Sequence, residues 1–209
     1  MALSDVKTAV ETGKLKLIGA AVSESLEQGE TAQDILNAMV ESMGVIGEKF
    51  QRNEVFVPEM LVAALTMKKG VAALKPYLGS GEIGASGKFI IGTVAGDLHD
   101  IGKNLVALMV ESAGFEVIDL GVDVPAEKFV DAIRANPDCR LIGVSALLTT
   151  TMDAMRGTVK AIADAGLRDQ VKIMVGGAPI TQAFADEIGA DAYTTDAGAA
   201  AQKAKELVA

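Results

Sequence analysis

Residues 89–109 read FIIGTVAGDLHDIGKNLVALM. The first six, Phe89 to Val94, form an apolar, largely β-branched run without polar alternation, as in a strand covered on both faces. A polar loop follows, and then Leu105 and Met109, four residues apart, begin one face of a helix. The same strand–loop–helix order recurs to the C-terminus. Further short apolar runs lie at Phe115–Leu120, Leu141–Ser145, Val171–Val175 and Asp191–Tyr193, separated by amphipathic stretches.

Five strands, each followed by a helix, imply an α/β domain with a doubly wound five-stranded parallel sheet, flavodoxin- or Rossmann-like. Such sheets bind ligands at the carboxyl ends of their strands, which directs attention to the loops after the strands.

The N-terminal part has a different grammar. Leu15, Ile18, Val22 and Leu26 repeat at intervals of three or four. Thr31 followed by Asp34 has the form of a capping box and opens a second run, in which Ile35, Met39, Met43, Ile46 and Phe50 share a face. That run closes at Gln51-Arg52-Asn53-Glu54. Pro58 then suits the first turn of a further helix, continued by Leu61, Leu65, Val71, Leu74 and Leu78. With a short helix near residues 4–11, the expectation is a four-helix bundle over residues 1–79. Residues 79–87, GSGEIGASG, have linker composition. The predicted organisation is a helical unit at 1–79, a linker at 80–87 and the sheet domain at 88–209.

Composition excludes several function classes. A net charge of −9 opposes general nucleic-acid binding. A single cysteine, Cys139, allows no internal disulfide and fits a reducing compartment. No apolar stretch approaches the roughly 20 residues of a membrane span, and the N-terminus has no signal-peptide pattern. A cytoplasmic protein with no membrane partner is expected. Nine methionines read as adaptable core filler.

The loop at 96–104 contains the one histidine, His99. A neutral imidazole is a good donor to a transition metal, and Asp97 can accept a hydrogen bond from its second ring nitrogen and fix the tautomer. Gly102 leaves room for a bulky planar ligand or for neighbouring backbone. The competing reading is a solvated turn histidine between two carboxylates. A metal caged by protein ligands alone does not fit, because there is no second histidine and Cys139 precedes a distant strand. A metal at His99 would have to bring its other ligands, as a macrocycle does.

Asp97-x-His99-x-x-Gly102 within GDLHDIGKN resembles the cobalamin-binding signature of methionine synthase and of the corrinoid proteins of methyltransferase systems. Ser145-Ala146-Leu147-Leu148-Thr149 resembles the family's Ser-x-Leu segment, and Gly176-Gly177 its paired glycines, in the same order. The resemblance implies that His99 is the lower axial ligand to cobalt, with Leu98, Asp100, Ile101 and Gly102 beside the cofactor. It implies a relay from His99 through Asp97 to Thr151, where methionine synthase has serine. Ser145, Leu147, Thr149, Gly176 and Gly177 would receive the cofactor's nucleotide tail, bordered by Tyr193 to Ala197. The paired glycines taken alone could form a phosphate-binding turn, but no Walker or G-x-G-x-x-G pattern surrounds them.

The resemblance extends to the helical unit, which in the family covers the upper face of the cofactor. Phe50 and Val57, in FQRNEVFVP, match the two covering positions, with valine where methionine synthase has leucine. Residues of this type also serve as ordinary bundle core. The implied function is a corrinoid methyl carrier using cobalamin or a related corrinoid, alternating between cob(I)alamin and methylcob(III)alamin. Its implied partners are a donor-specific methyltransferase, an acceptor methyltransferase using tetrahydrofolate or coenzyme M, and a reductive activator. It would be a non-autonomous component of that system. A cobalamin-dependent sensor would add a basic DNA-binding module, and a carbon-skeleton mutase subunit would lack the helical cap. Methanol, methylamines, glycine betaine and methoxylated aromatics all remain open as methyl donors.

Overall fold

A computed structural model describes residues 2–78 and 86–208. Most of the predicted linker, residues 80–85, lies outside the described residues. The chain divides into two compact units, one helical and one built on a sheet.

The helical unit contains α1 (Ala2–Glu11), α2 (Ile18–Glu27), α3 (Ala32–Gln51) and α4 (Val57–Leu74), followed by a 3-10 turn, Lys75–Tyr77. The Thr31 hydroxyl accepts a hydrogen bond from the Asp34 amide at 3.1 Å and starts α3. The reciprocal half of a capping box is replaced: the Asp34 carboxylate accepts from the Thr31 hydroxyl, at 2.6 Å, and not from its amide. At α4 the Glu59 carboxylate accepts from the Phe56 amide at 2.8 Å, and Pro58 occupies the first turn. Val6, Val10, Ile18, Val22, Ile35, Met39, Met60, Met67 and Leu74 form the core of the bundle.

Of the apolar residues that continue α4, not all turn inward. Met60, Ala63, Ala64, Met67, Gly70 and Leu74 are buried, whereas Leu61 and Leu65 are 36% and 48% exposed. The reason is close packing. A Cβ on Gly70 would stand 2.5 Å from Met39 Sδ and 2.9 Å from Ile18 Cγ1, so the face with the smaller side chains lies inward.

The sheet unit contains β1 (Lys88–Thr93), α5 (Ile101–Ser112), β2 (Glu116–Asp119), α6 (Ala126–Ala135), β3 (Leu141–Ser145), α7 (Met152–Asp164), β4 (Lys172–Gly176), α8 (Gln182–Ile188), β5 (Ala192–Tyr193) and α9 (Ala197–Val208). All pairings are parallel, in the order β2-β1-β3-β4-β5. The chain leaves β1 toward one side and, after β2, returns to the other side to form β3. This makes the β1/β3 boundary a topological switch point, where doubly wound sheets open a crevice.

Register places the site. Thr93, Ser145 and Gly176 lie in one row across β1, β3 and β4 at their carboxyl ends. Two glycines make room for aromatic core on the sheet. A Cβ on Gly92 would meet Phe129 Cζ at 2.8 Å, and one on Gly143 would meet Phe89 Cζ at 2.5 Å. Both rings are fully buried, each contributing on the order of 2–3 kcal/mol. Among the described residues, no helix is long and apolar enough to cross a membrane.

Candidate corrinoid-binding site

The site begins where β1 ends. Gly96 has a φ of +80°, which turns the chain sharply away from the sheet and suits glycine. The loop is then tied down on two sides. The Thr93 hydroxyl donates to the His99 carbonyl at 3.0 Å. Asp123, after β2, accepts the Gly96 amide on its carboxylate at 2.7 Å and gives its own amide to the Asp97 carbonyl at 3.0 Å.

Asp97 is the centre of the arrangement. Its side chain is fully buried, while that of His99 is 51% exposed. Oδ1 lies 2.8 Å from His99 Nδ1 and accepts the His99 amide at 3.1 Å. Oδ2 serves the segment after β3. It accepts the Leu147 amide at 2.7 Å, the Leu148 amide at 3.3 Å and the Thr151 hydroxyl at 2.8 Å. Burial pushes the Asp97 carboxyl upward, but the Leu147 amide, the His99 ring and amide, and the Thr151 hydroxyl together outweigh it. They hold the group well below the usual carboxylate range.

An ionised Asp97 is an acceptor only, so a neutral His99 carries its proton on Nδ1 and leaves a lone pair on Nε2. Among the described residues Nε2 has no hydrogen-bond partner. Thr151 stands in the 3-10 turn Thr149–Thr151, and its threonine for serine leaves the relay contact intact. The same hydroxyl is 2.9 Å from the Leu148 carbonyl, and its one proton favours the charged acceptor.

The surroundings fit a large apolar macrocycle. Leu98 and Ile101, on either side of the histidine, are 72% and 83% exposed, and Leu147 and Leu148 are also exposed. A Cβ on Gly102, in the first turn of α5, would meet no protein atom within 4 Å. Neighbouring backbone therefore does not account for that glycine, and the open space suits a ligand. No group of three or more histidine, cysteine or carboxylate side chains able to hold a metal occurs among the described residues. A metal with its own equatorial ligands, carried by a corrinoid, fits this donor set; a bare ion does not.

The other expected residues take these places. Ser145 and Gly176 end β3 and β4, Gly177 follows, Tyr193 ends β5, and Ala197 is buried at the start of α9. Asp100 accepts from the Asn104 side chain at 3.0 Å. Phe50, near the end of α3, and Val57, the first residue of α4, belong to the helical unit.

Sequence reasoning missed Thr93, Asp123 and Lys103. Thr93 is fully buried at the end of a strand, a position where a lone hydroxyl signals a bond to be made. Lys103 is buried, and its Nζ lies 2.5 Å from Asp119 Oδ2 and 2.6 Å from Asn104 Oδ1, bracing α5 against the end of β2.

Comparison with known proteins agrees with this geometry. Two family models, both described as B12 binding domains, match residues 87–204 and 2–75. A dimethylamine corrinoid protein of Methanosarcina barkeri is 43% identical over 99% of this chain and 97% of its own length. A corrinoid protein of Desulfitobacterium hafniense is 38% identical over 99% and 97% of the two chains. Among solved structures, a cobalamin-binding protein from Desulfitobacterium hafniense superposes with a TM-score of 0.84 at 32% identity, covering 99% of this chain and 98% of the other. A chain of the methanol:cobalamin methyltransferase complex from Methanosarcina barkeri gives a TM-score of 0.87 at 25% identity, covering 99% of this chain and 79% of that one. The chain thus belongs to the corrinoid proteins, the B12-binding methyl carriers of methyltransferase systems, with a four-helix cap domain and a five-stranded parallel α/β domain.

Proposed function

We propose that this carrier serves methylamine metabolism. It would take a methyl group from a dimethylamine-specific methyltransferase and yield it on a second methyltransferase that uses tetrahydrofolate or coenzyme M. The observation that carries the chemical part is the His99–Asp97 pair: a half-exposed imidazole held at Nδ1 by a buried, ionised carboxylate, with Nε2 unpartnered. The donor class rests on similarity to the dimethylamine corrinoid proteins.

A bound corrinoid supplies a cobalt centre on which a methyl group is carried. The protein's part is to bind, orient and protect it. His99 Nε2 would hold the cobalt of a bound corrinoid, with Asp97 keeping the proton on Nδ1 and Thr151 and the Leu147 amide keeping Asp97 charged. Leu98, Asp100, Ile101 and Gly102, beside His99 in sequence, would help to hold the corrinoid. Ser145, Leu147, Thr149, Gly176, Gly177, Tyr193 and Ala197 are proposed for the nucleotide tail. The Ser145 hydroxyl, half-buried and without a protein partner among the described residues, supports a donor role there. Phe50 and Val57 are proposed as the helical unit's contributions to holding the corrinoid, and residues 80–87 as the linker. A reductive activator completes the proposed set of partners.

The test is a reconstituted transfer assay. The cobalamin-loaded protein, reduced to cobalt(I), is mixed with dimethylamine and a dimethylamine methyltransferase, and corrin absorption is followed. Conversion to the methylated spectrum is expected, with none when methanol and its methyltransferase replace the amine pair. The reverse pattern would reassign the donor.

A further inference from the structure

Gly177 has a φ of +129°, and a Cβ placed there would stand 1.7 Å from the Ala146 carbonyl oxygen and 2.8 Å from the Ala146 carbonyl carbon. Real Cβ contacts do not fall below 3.0 Å, so the constraint is backbone against backbone and no rotamer change relieves it. Ala146 is fully buried, and its amide bonds the Gly176 carbonyl at 3.2 Å.

The Ala146 carbonyl and the Leu147 amide are two ends of one peptide group. A peptide group is planar and turns as a unit. Its oxygen faces Gly177, and its N–H donates to Asp97 Oδ2 at 2.7 Å. The opposite oxygen of that carboxylate orients the His99 ring. A side chain at position 177 would displace the oxygen and tip the N–H away from Asp97.

We propose that the Ala146–Leu147 peptide couples the end of β4 to the orientation of His99, making Gly177 a positioning residue for axial ligation and not only a residue of the tail-binding region. The proposal rests on the reading of His99 as the axial ligand. It implies that whatever seats against the Gly176–Gly177 turn is felt at the His99 ring, through one peptide plane and one carboxylate.

A corrinoid that lacks the nucleotide tail separates the two roles of Gly177. The full chain is saturated with cobinamide in its cobalt(II) form, and nitrogen superhyperfine splitting is read by electron paramagnetic resonance. Wild-type protein is expected to show coupling to one nitrogen, and His99→Ala to lose it. Gly177→Ala is expected to lose most of it, or to need roughly tenfold more cobinamide to develop it, the usual scale for residues that orient a ligand. Gly157→Ala, in α7 with no atom within 4 Å of the new Cβ, is expected to match the wild type.

Full coupling at wild-type affinity in Gly177→Ala would overturn the proposal while leaving His99 as the ligand. Absence of nitrogen coupling in the wild-type protein would overturn the His99 reading and this inference with it. Should Gly177→Ala not fold, an amide-to-ester replacement at Leu147 removes the same N–H without adding a Cβ. It is expected to weaken the nitrogen coupling as well, and unchanged coupling in the ester would overturn the proposal.

Discussion

Asp97 Oδ1 lies 2.8 Å from Nδ1 of His99, joining a carboxylate with no solvent exposure to a ring that is half exposed. The buried member carries the structural constraint, and the exposed member is the one proposed to carry the chemistry. Asp97 can hold this role because its second oxygen is satisfied by a different segment, fifty residues further along the chain.

Replacing Thr151 tests that second oxygen. Thr151→Val keeps the branched shape but removes the hydroxyl that donates to Asp97 at 2.8 Å. A loss of about 2 kcal/mol of stability is expected, in the range for hydrogen bonds to charged groups. Thr151→Ser should recover most of it. Urea denaturation of the corrinoid-free protein measures both.

The pH dependence of stability follows from the depressed Asp97 carboxyl. A group whose folded value lies below its unfolded value of about 3.9 stabilises the fold above that pH. The stabilisation is lost as pH falls through the folded value. The stability difference between wild type and Asp97→Asn should therefore be flat above about pH 5 and narrow below about pH 4. A difference that grew on acidification would contradict the hydrogen-bond account.

In the sheet core, Gly143→Ala should destabilise the protein by about 1–3 kcal/mol through overpacking. The new Cβ would sit 2.5 Å from Cζ of the fully buried Phe89. Combining it with Phe89→Leu should cost less than the sum of the two single changes, because they share one contact. Thermal unfolding of the four proteins gives the coupling.

Cys139 should resist alkylation in the native protein. Its side chain is buried, it donates to the Leu141 carbonyl at 3.3 Å, and burial pushes the thiol up from its ordinary value. Reaction with iodoacetamide is expected to follow the fraction unfolded across a urea titration. Stoichiometric labelling in native buffer would show the site to be open.

Much of the architecture is local in origin and so was legible in the chain itself. The apolar runs predicted all five strands, and residues 141–145 coincide with β3. The cap at Thr31 and the first-turn proline, Pro58, were visible because helix-start chemistry acts within one turn. The histidine loop and its aspartate are two residues apart, so their pairing too could be read from order alone.

Tertiary structure decided the rest. On α4, apolar residues occur on more than one face, so periodicity did not choose which to bury; the close approach of Met39 and Ile18 to Gly70 did. Strand order brought the loops after β1 and β3 together at the switch point, and only then could the Leu147 amide reach Asp97. The sequence determined that His99 and Asp97 lie together in the loop after the first strand. What holds Asp97 in place is long-range: the amides of Leu147 and Leu148, and the Thr151 hydroxyl. Backbone groups are alike at every residue, so no pattern of side chains announces which of them will meet.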